Sequence, residues 1–202
     1  VRVKICGITN LDDALAACAA GADALGFVFA EEARARNRHI APEAARAIIR
    51  ALPPFVQTVA VTVNDSLETL RAYLDFVDRV QLHGEEPPEI AEALGHRAIR
   101  VLRLKAGGRP AVPDGPLLID AHVPGLRGGT GQTADWAAAR AIAEANPAVI
   151  LAGGLDPENV AEAVRTVRPY GVDTSGGVEA APGKKDHERI RRFIHEAKTS
   201  LS

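Results

Sequence analysis

The sequence predicts an α/β fold, a (β/α)8 TIM barrel forming a single domain over residues 1–202, and three observations point there. Short Val-, Ile- and Leu-rich runs alternate with Ala/Leu-rich segments of helical period, the mark of repeated βα units around a parallel sheet. The runs number eight, about 25 residues to a unit, at the lower end of the barrel range. No break divides them into two halves, which favours closure into a barrel over an open doubly wound sheet.

Buried parallel strands read as near-continuous apolar runs. By that criterion the strands are residues 2–6, 23–29, 56–63, 78–82, 99–104, 117–120, 148–152 and 171–174. Helical stretches lie between them at 11–20, 42–52, 67–76, 87–94, 134–145, 157–167 and 186–197, several opening on Pro or on an Asp, Asn or Thr cap. The unit after the fifth strand is the exception. Gly107, Gly108, Pro110 and Pro113 break any helical run there, so its helix is expected to be short or missing.

Composition narrows the function classes. The chain is 47% hydrophobic and 25% charged, with 26 acidic against 24 basic residues and a net charge of −2. No global positive field exists to hold nucleic acid or an anionic membrane, so any anion must be bound locally. Two cysteines, Cys6 and Cys18, cannot build a secreted disulfide framework, and no apolar stretch is long enough to span a bilayer. A reducing cytoplasm is the expected compartment. The chain lacks methionine, and a start processed just before Val1 is the simplest expectation.

In a barrel the chemistry sits at the carboxyl ends of the strands. Those ends here are Cys6-Gly7, Phe29, the run Gln81-Leu82-His83-Gly84, Asp120, the pair Gly153-Gly154 and the run Ser175-Gly176-Gly177. Glycine-rich turns ahead of helices aim backbone N–H groups at one point, and the loops after strands seven and eight are the usual phosphate site of such barrels. A plain tight connection is the alternative for Gly153 and Gly154. Gly128 to Gly131 form a third cluster without the lysine of a nucleotide loop. It reads either as a loop that closes over substrate or as a turn. Cys6 and Asp120, on different strands, form a complementary base and acid, although a lone cysteine is more often a small buried hydrophobe. Cys18, within an alanine run on a helix, has only that reading. His83 ends a strand and can face the pocket, but no His or carboxylate partners stand at ligand spacing, so no metal is expected. Arg34, Arg36 and Arg38 crowd the loop after strand two, where an arginine fork would suit a carboxylate.

The sequence resembles the phosphoribosylanthranilate isomerase family from Val3 to Lys198. The likeness is carried by Lys4-Ile5-Cys6-Gly7-Ile8-Thr9, Gly26-Phe27-Val28-Phe29, Val80-Gln81-Leu82-His83-Gly84-Glu85, Leu118-Ile119-Asp120, Leu151-Ala152-Gly153-Gly154-Leu155, and Gly176-Gly177-Val178-Glu179 with Pro182-Gly183-Lys184-Lys185-Asp186. It implies a barrel enzyme without cofactors that performs an Amadori rearrangement in tryptophan biosynthesis, as a monomer or a homodimer. Cys6 would be the general base and Asp120 the general acid. Arg38 would pair with the anthranilate carboxylate of a phosphosugar substrate, with Arg36 two residues earlier. Gln81 and His83 would line the substrate pocket, and Gly153, Gly154, Ser175 and Gly176 would cradle the phosphate. Three positions depart from the family pattern: residues 30–37 form an altered lead-in to the arginine, Gly176 stands where a second serine is usual, and Thr62 replaces a common aromatic. The last predicts a less apolar pocket wall. Two other readings remain: a related barrel enzyme such as indole-glycerol-phosphate synthase, with Lys4 as its catalytic lysine, and a phosphosugar-binding relative without catalysis.

Overall fold

The computed structural model describes residues 1–104, 112–120 and 136–201. Eight parallel strands, β1 Arg2–Cys6, β2 Ala24–Val28, β3 Gln57–Thr62, β4 Arg79–Leu82, β5 Ala98–Arg103, β6 Leu117–Asp120, β7 Val149–Ala152 and β8 Gly171–Thr174, each pair with the next. The barrel closes where Val3 and Lys4 of β1 stand opposite Val172 and Asp173 of β8. The helices are α1 Leu11–Ala19, α2 Pro42–Ile49, α3 Leu67–Tyr73, α4 Pro88–Leu94, α5 Trp136–Ala145, α6 Val160–Val167 and α7 His187–Thr199. A short antiparallel hairpin, β9 Glu179–Ala181 and β10 Lys184–Lys185, follows β8.

All eight expected strands and seven expected helices are present, with ends shifted by a few residues. The shift at the start of α6 has a local cause. The helix expected from residue 157 begins at Val160 because Asp156 Oδ1 accepts from the N–H groups of Glu158 and Asn159 and holds them in a side-chain turn. Residues 112–115 after β5 carry no helix. The remainder of that connection, and the glycine cluster at 128–131, lie outside the described residues.

Side chains alternate across each strand, so one set faces the helices and the other the lumen. The outward set, including Ile5, Phe27, Val80 and Leu151, packs with Ala14, Leu70, Val164 and Phe193 of the helices in the main core. The lumen holds a smaller apolar cluster of Val59, Ile99, Leu118 and Ala152. Lys4, Gln81 and Asp173 are buried polar residues of the barrel. Thr62 corrects the sequence reading. Period two puts Val61 and Val63 on the pocket wall, while Thr62 is fully buried and donates to the Gln81 carbonyl, so it does not make the pocket more polar.

Helix starts are set by short polar side chains. Asn10 Oδ1 accepts from the Asp13 N–H at 2.8 Å, Ser66 Oγ from the Thr69 N–H at 3.1 Å, and Asp186 Oδ1 from the Glu188 and Arg189 N–H groups. Asp13 then ties three elements together. Its carboxylate accepts from Asn10 Nδ2 at 2.8 Å, the Lys185 N–H at 3.0 Å and His187 Nε2 at 2.8 Å.

Candidate active site

At the carboxyl ends of the strands lies a cavity of about 820 Å³ whose wall contains every residue to which the family resemblance gave a catalytic or binding role. Cys6 comes from β1, Arg38 from the loop after β2, and Gln81 and His83 from β4 and its end. Asp120 ends β6, Gly153 and Gly154 follow β7, and Ser175 and Gly176 follow β8. A second cavity, about 560 Å³, opens at the amino ends and is lined by residues such as Arg2, Lys4 and Arg79.

Cys6 and Lys4 point inward from alternate positions of β1. Gly26, beside Cys6 in the register of β2, makes the room: a Cβ there would lie 2.7 Å from Cys6 Sγ and 3.1 Å from Lys4 Cε. Burial pushes the Cys6 thiol above its ordinary pKa. The Lys4 and Lys185 charges oppose that shift, and the Asp173 charge adds to it. For Lys4, burial disfavours the ammonium, but Asp173 and Cys6 outweigh it and hold the pKa above the ordinary value.

Lys4 also fixes the orientation of two pocket residues. Its Nζ donates to Asp173 Oδ1 at 2.8 Å and to Gln81 Oε1 at 3.1 Å. Because an ammonium can only donate, the Gln81 oxygen must face it, which turns the Gln81 Nε2 donor toward His83 Nδ1 at 3.0 Å. His83 Nδ1 therefore accepts and the ring proton sits on Nε2. Burial, with the Arg103 charge, holds the His83 pKa below its ordinary value against the pull of Asp120. The imidazole is thus neutral at neutral pH, with one donor.

The opposite end of the wall is built from tight turns. Gly153 and Gly154 adopt left-handed backbone, with φ of +97° and +70°. A Cβ on Gly177 would lie 2.0 Å from the Leu155 carbonyl oxygen, so the loops after β7 and β8 touch at a point that admits only glycine. Asn159 Nδ2 donates to the Gly154 carbonyl and Thr174 Oγ1 to that of Leu155. The Ser175 hydroxyl is buried among these turns without a hydrogen-bond partner. A short 3-10 turn, Gly176–Val178, follows Ser175 directly, whereas α6 begins only after the Asp156 turn.

The comparisons with known proteins agree on one family. The model of the family described as N-(5'-phosphoribosyl)anthranilate (PRA) isomerase matches residues 3–196. The chain belongs to this family. An N-(5'-phosphoribosyl)anthranilate isomerase of Geobacter sulfurreducens is 51% identical, the match covering 98% of both chains. The crystal structure of phosphoribosyl anthranilate isomerase from Thermotoga maritima superposes with a TM-score of 0.85 at 42% identity, covering 98% of each chain. A phosphoribosyl anthranilate isomerase solved in complex with reduced 1-(o-carboxyphenylamino)-1-deoxyribulose 5-phosphate matches with a TM-score of 0.83 at 40% identity, again over 98% of both chains.

The resemblance leads to the expectation of a substrate carboxylate as the partner of Arg38. In this structure its fork already holds a carboxylate of the protein: Nε and Nη2 donate to Glu179 Oε1 and Oε2 at 2.9 and 2.7 Å. Burial raises the Glu179 pKa, but the Arg38 hydrogen bond and the Lys185 charge outweigh it and keep the group below the ordinary carboxylate range. Lys185 Nζ, fully enclosed, donates to Glu179 Oε1 and to the Ser175 carbonyl, each at 3.1 Å. Gly176 finds its reason here: a Cβ at that position would lie 2.8 Å from Arg38 Nη2, so the guanidinium fills the space a serine would take. Arg36 also reaches the cavity wall, from an exposed turn.

Asp173, Glu179 and Lys185 were missed as site residues in the sequence. Asp173 could have been found by its period-two spacing from Ser175, and Lys185 stood in a family motif without a role. Among the described residues no group of His, Cys, Asp and Glu side chains is arranged to hold a metal ion, and no helix is long and apolar enough to cross a membrane.

Proposed function

We propose that the chain catalyses the isomerisation of N-(5'-phosphoribosyl)anthranilate to 1-(2-carboxyphenylamino)-1-deoxyribulose 5-phosphate, without a cofactor, in tryptophan biosynthesis. The observation that carries this reading is the presence of Cys6 and Asp120 on one cavity wall together with the glycine turns after β7 and β8.

Asp120, as the carboxylic acid, donates its proton to the ribose ring oxygen while the C1′–O bond breaks and the nitrogen lone pair forms an iminium. The iminium acidifies the C2′ proton, so a protein base suffices to remove it. The Cys6 thiolate takes that proton, and the C2′–H electron pair becomes the C1′–C2′ double bond of an enolamine. Tautomerisation gives the ketone as C1′ gains a proton and the 2′ hydroxyl loses one. The phosphate is received by the loops after β7 and β8, where the buried Ser175 hydroxyl lacks an acceptor. Arg38 has five N–H donors, of which Glu179 engages two, so Nη1 can meet the anthranilate carboxylate. Neutral His83 offers its Nε2–H to a substrate oxygen. This reading brings with it a small phosphosugar partner and a cytoplasmic location.

A lysine-driven synthase is the second reading, and the position of Lys4 counts against it. Lys4 is 4% exposed, bound to Asp173 and Gln81, and lines the amino-end cavity below the proposed pocket. The test uses enzymatically generated phosphoribosylanthranilate, followed by its fluorescence, beside a second reaction offered the carboxyphenylamino-deoxyribulose phosphate. Decay of the first above spontaneous hydrolysis, with no decarboxylation of the second, is expected. Turnover of the second alone supports the synthase, and binding of either without turnover supports a non-catalytic relative.

A further inference from the structure

The Cys6 thiol has a requirement that its burial works against: a base must be available as the thiolate, and enclosure favours the neutral thiol. We propose that Lys4, clamped by Asp173 and Gln81 beneath the cavity, is the positioning residue that stabilises the Cys6 thiolate. The proposal rests on the reading of Cys6 as the base.

Its geometry is specific. Lys4 and Cys6 are two residues apart on β1 and share the lumen face, and both crowd the place a Gly26 Cβ would take, 2.7 Å from Cys6 Sγ and 3.1 Å from Lys4 Cε. Two of the three ammonium donors are held by Asp173 and Gln81, which leaves one and fixes the head group in place. A buried Lys–Asp pair is not the cheapest way to fill a lumen, since apolar side chains of similar volume serve as well or better. Beside a thiol, though, the ammonium has an electrostatic task. The charged and titratable groups around Cys6 are Lys4 on β1, Asp173 on β8, Lys185 on β10, and across the cavity His83, Asp120 and Arg38. Among the charges acting on the sulfur, Lys4 is the largest that favours the thiolate, and Asp173 opposes it.

The opposite signs of these two neighbours supply the test. In a Cys18→Ser background, which removes the other thiol, Cys6 is alkylated with iodoacetamide across a pH series, and folding is checked by circular dichroism. Lys4→Met should move the midpoint of alkylation up by a unit or more, slowing reaction about tenfold at a fixed pH on the rising limb. Lys4→Arg should restore the midpoint toward wild type, and Asp173→Asn should move it down. The acid limb of kcat/KM should follow the same order. A purely structural pair predicts no such opposed shifts. An unchanged midpoint in folded Lys4→Met, or an upward shift in Asp173→Asn, overturns the proposal. If Lys4→Met does not fold, the direction of the Asp173→Asn shift decides. Full activity in Cys6→Ser would instead remove the base assignment, a result distinct from the alkylation midpoints.

Discussion

Gly26 and Gly176 are each glycine because another side chain occupies the place of their Cβ. At Gly26 the neighbours are Cys6 Sγ and Lys4 Cε inside a packed barrel, so Gly26→Ala must displace the thiol. A displacement near 1 Å at a reacting group costs on the order of 10²-fold in rate. Steady-state kinetics should show kcat reduced by about that factor with KM changed far less. At Gly176 the neighbour is the far end of a flexible side chain, Arg38 Nη2, so the expected effect differs. Gly176→Ser should push the guanidinium off its Glu179 seat and raise KM several-fold while leaving kcat within a few-fold of wild type. A KM equal to or below that of wild type would show that the guanidinium position does not matter to substrate binding.

At the level of elements, Asp13 joins α1 to the β9–β10 hairpin and to α7, and so steadies the strand that presents Lys185. Burial raises its pKa, but hydrogen bonds from the Lys185 N–H, His187 and Asn10 outweigh it and hold the carboxyl below its ordinary range. Hydrogen bonds to a charged acceptor contribute roughly 1.5–3 kcal/mol, so Asp13→Ala should cost on that order in denaturant unfolding at neutral pH. The sign of the pH effect follows from the depressed value. The ionised group's contribution is fully present above the unfolded pKa of about 3.9 and is lost as pH falls through the lower folded value. The stability gap between wild type and Asp13→Ala should therefore narrow in that acid window, and a gap that widens there would contradict the assigned network. The elements themselves were legible in the sequence because apolar periodicity is local. The start of α6 was not, since Asp156 redirects residues 157–159 with a side-chain turn that apolar periodicity does not register.

Across the whole molecule, closure of β8 onto β1 gathers all eight carboxyl ends on one face, and this made the candidate site readable. Once strands are counted, the residues ending them must converge. The second layer of the site was hidden for the same geometric reason. Lys4 meets Asp173 across 169 positions of sequence, and Arg38 meets Glu179 across 141. Such pairings depend on register and on loop paths, which apolar periodicity does not record. Arg38 itself was found as a candidate, but its existing carboxylate partner was not. Cys6 and Asp120, on β1 and β6 of the barrel, are proposed to face one substrate as base and acid. General acid–base groups contribute about 10²–10⁴-fold, so kcat and KM of Cys6→Ser and Asp120→Asn, measured by phosphoribosylanthranilate fluorescence decay, test that assignment most directly. Each substitution should lower kcat by a factor in that range and leave KM within a few-fold of wild type. Near wild-type kcat in both variants would contradict the assignment.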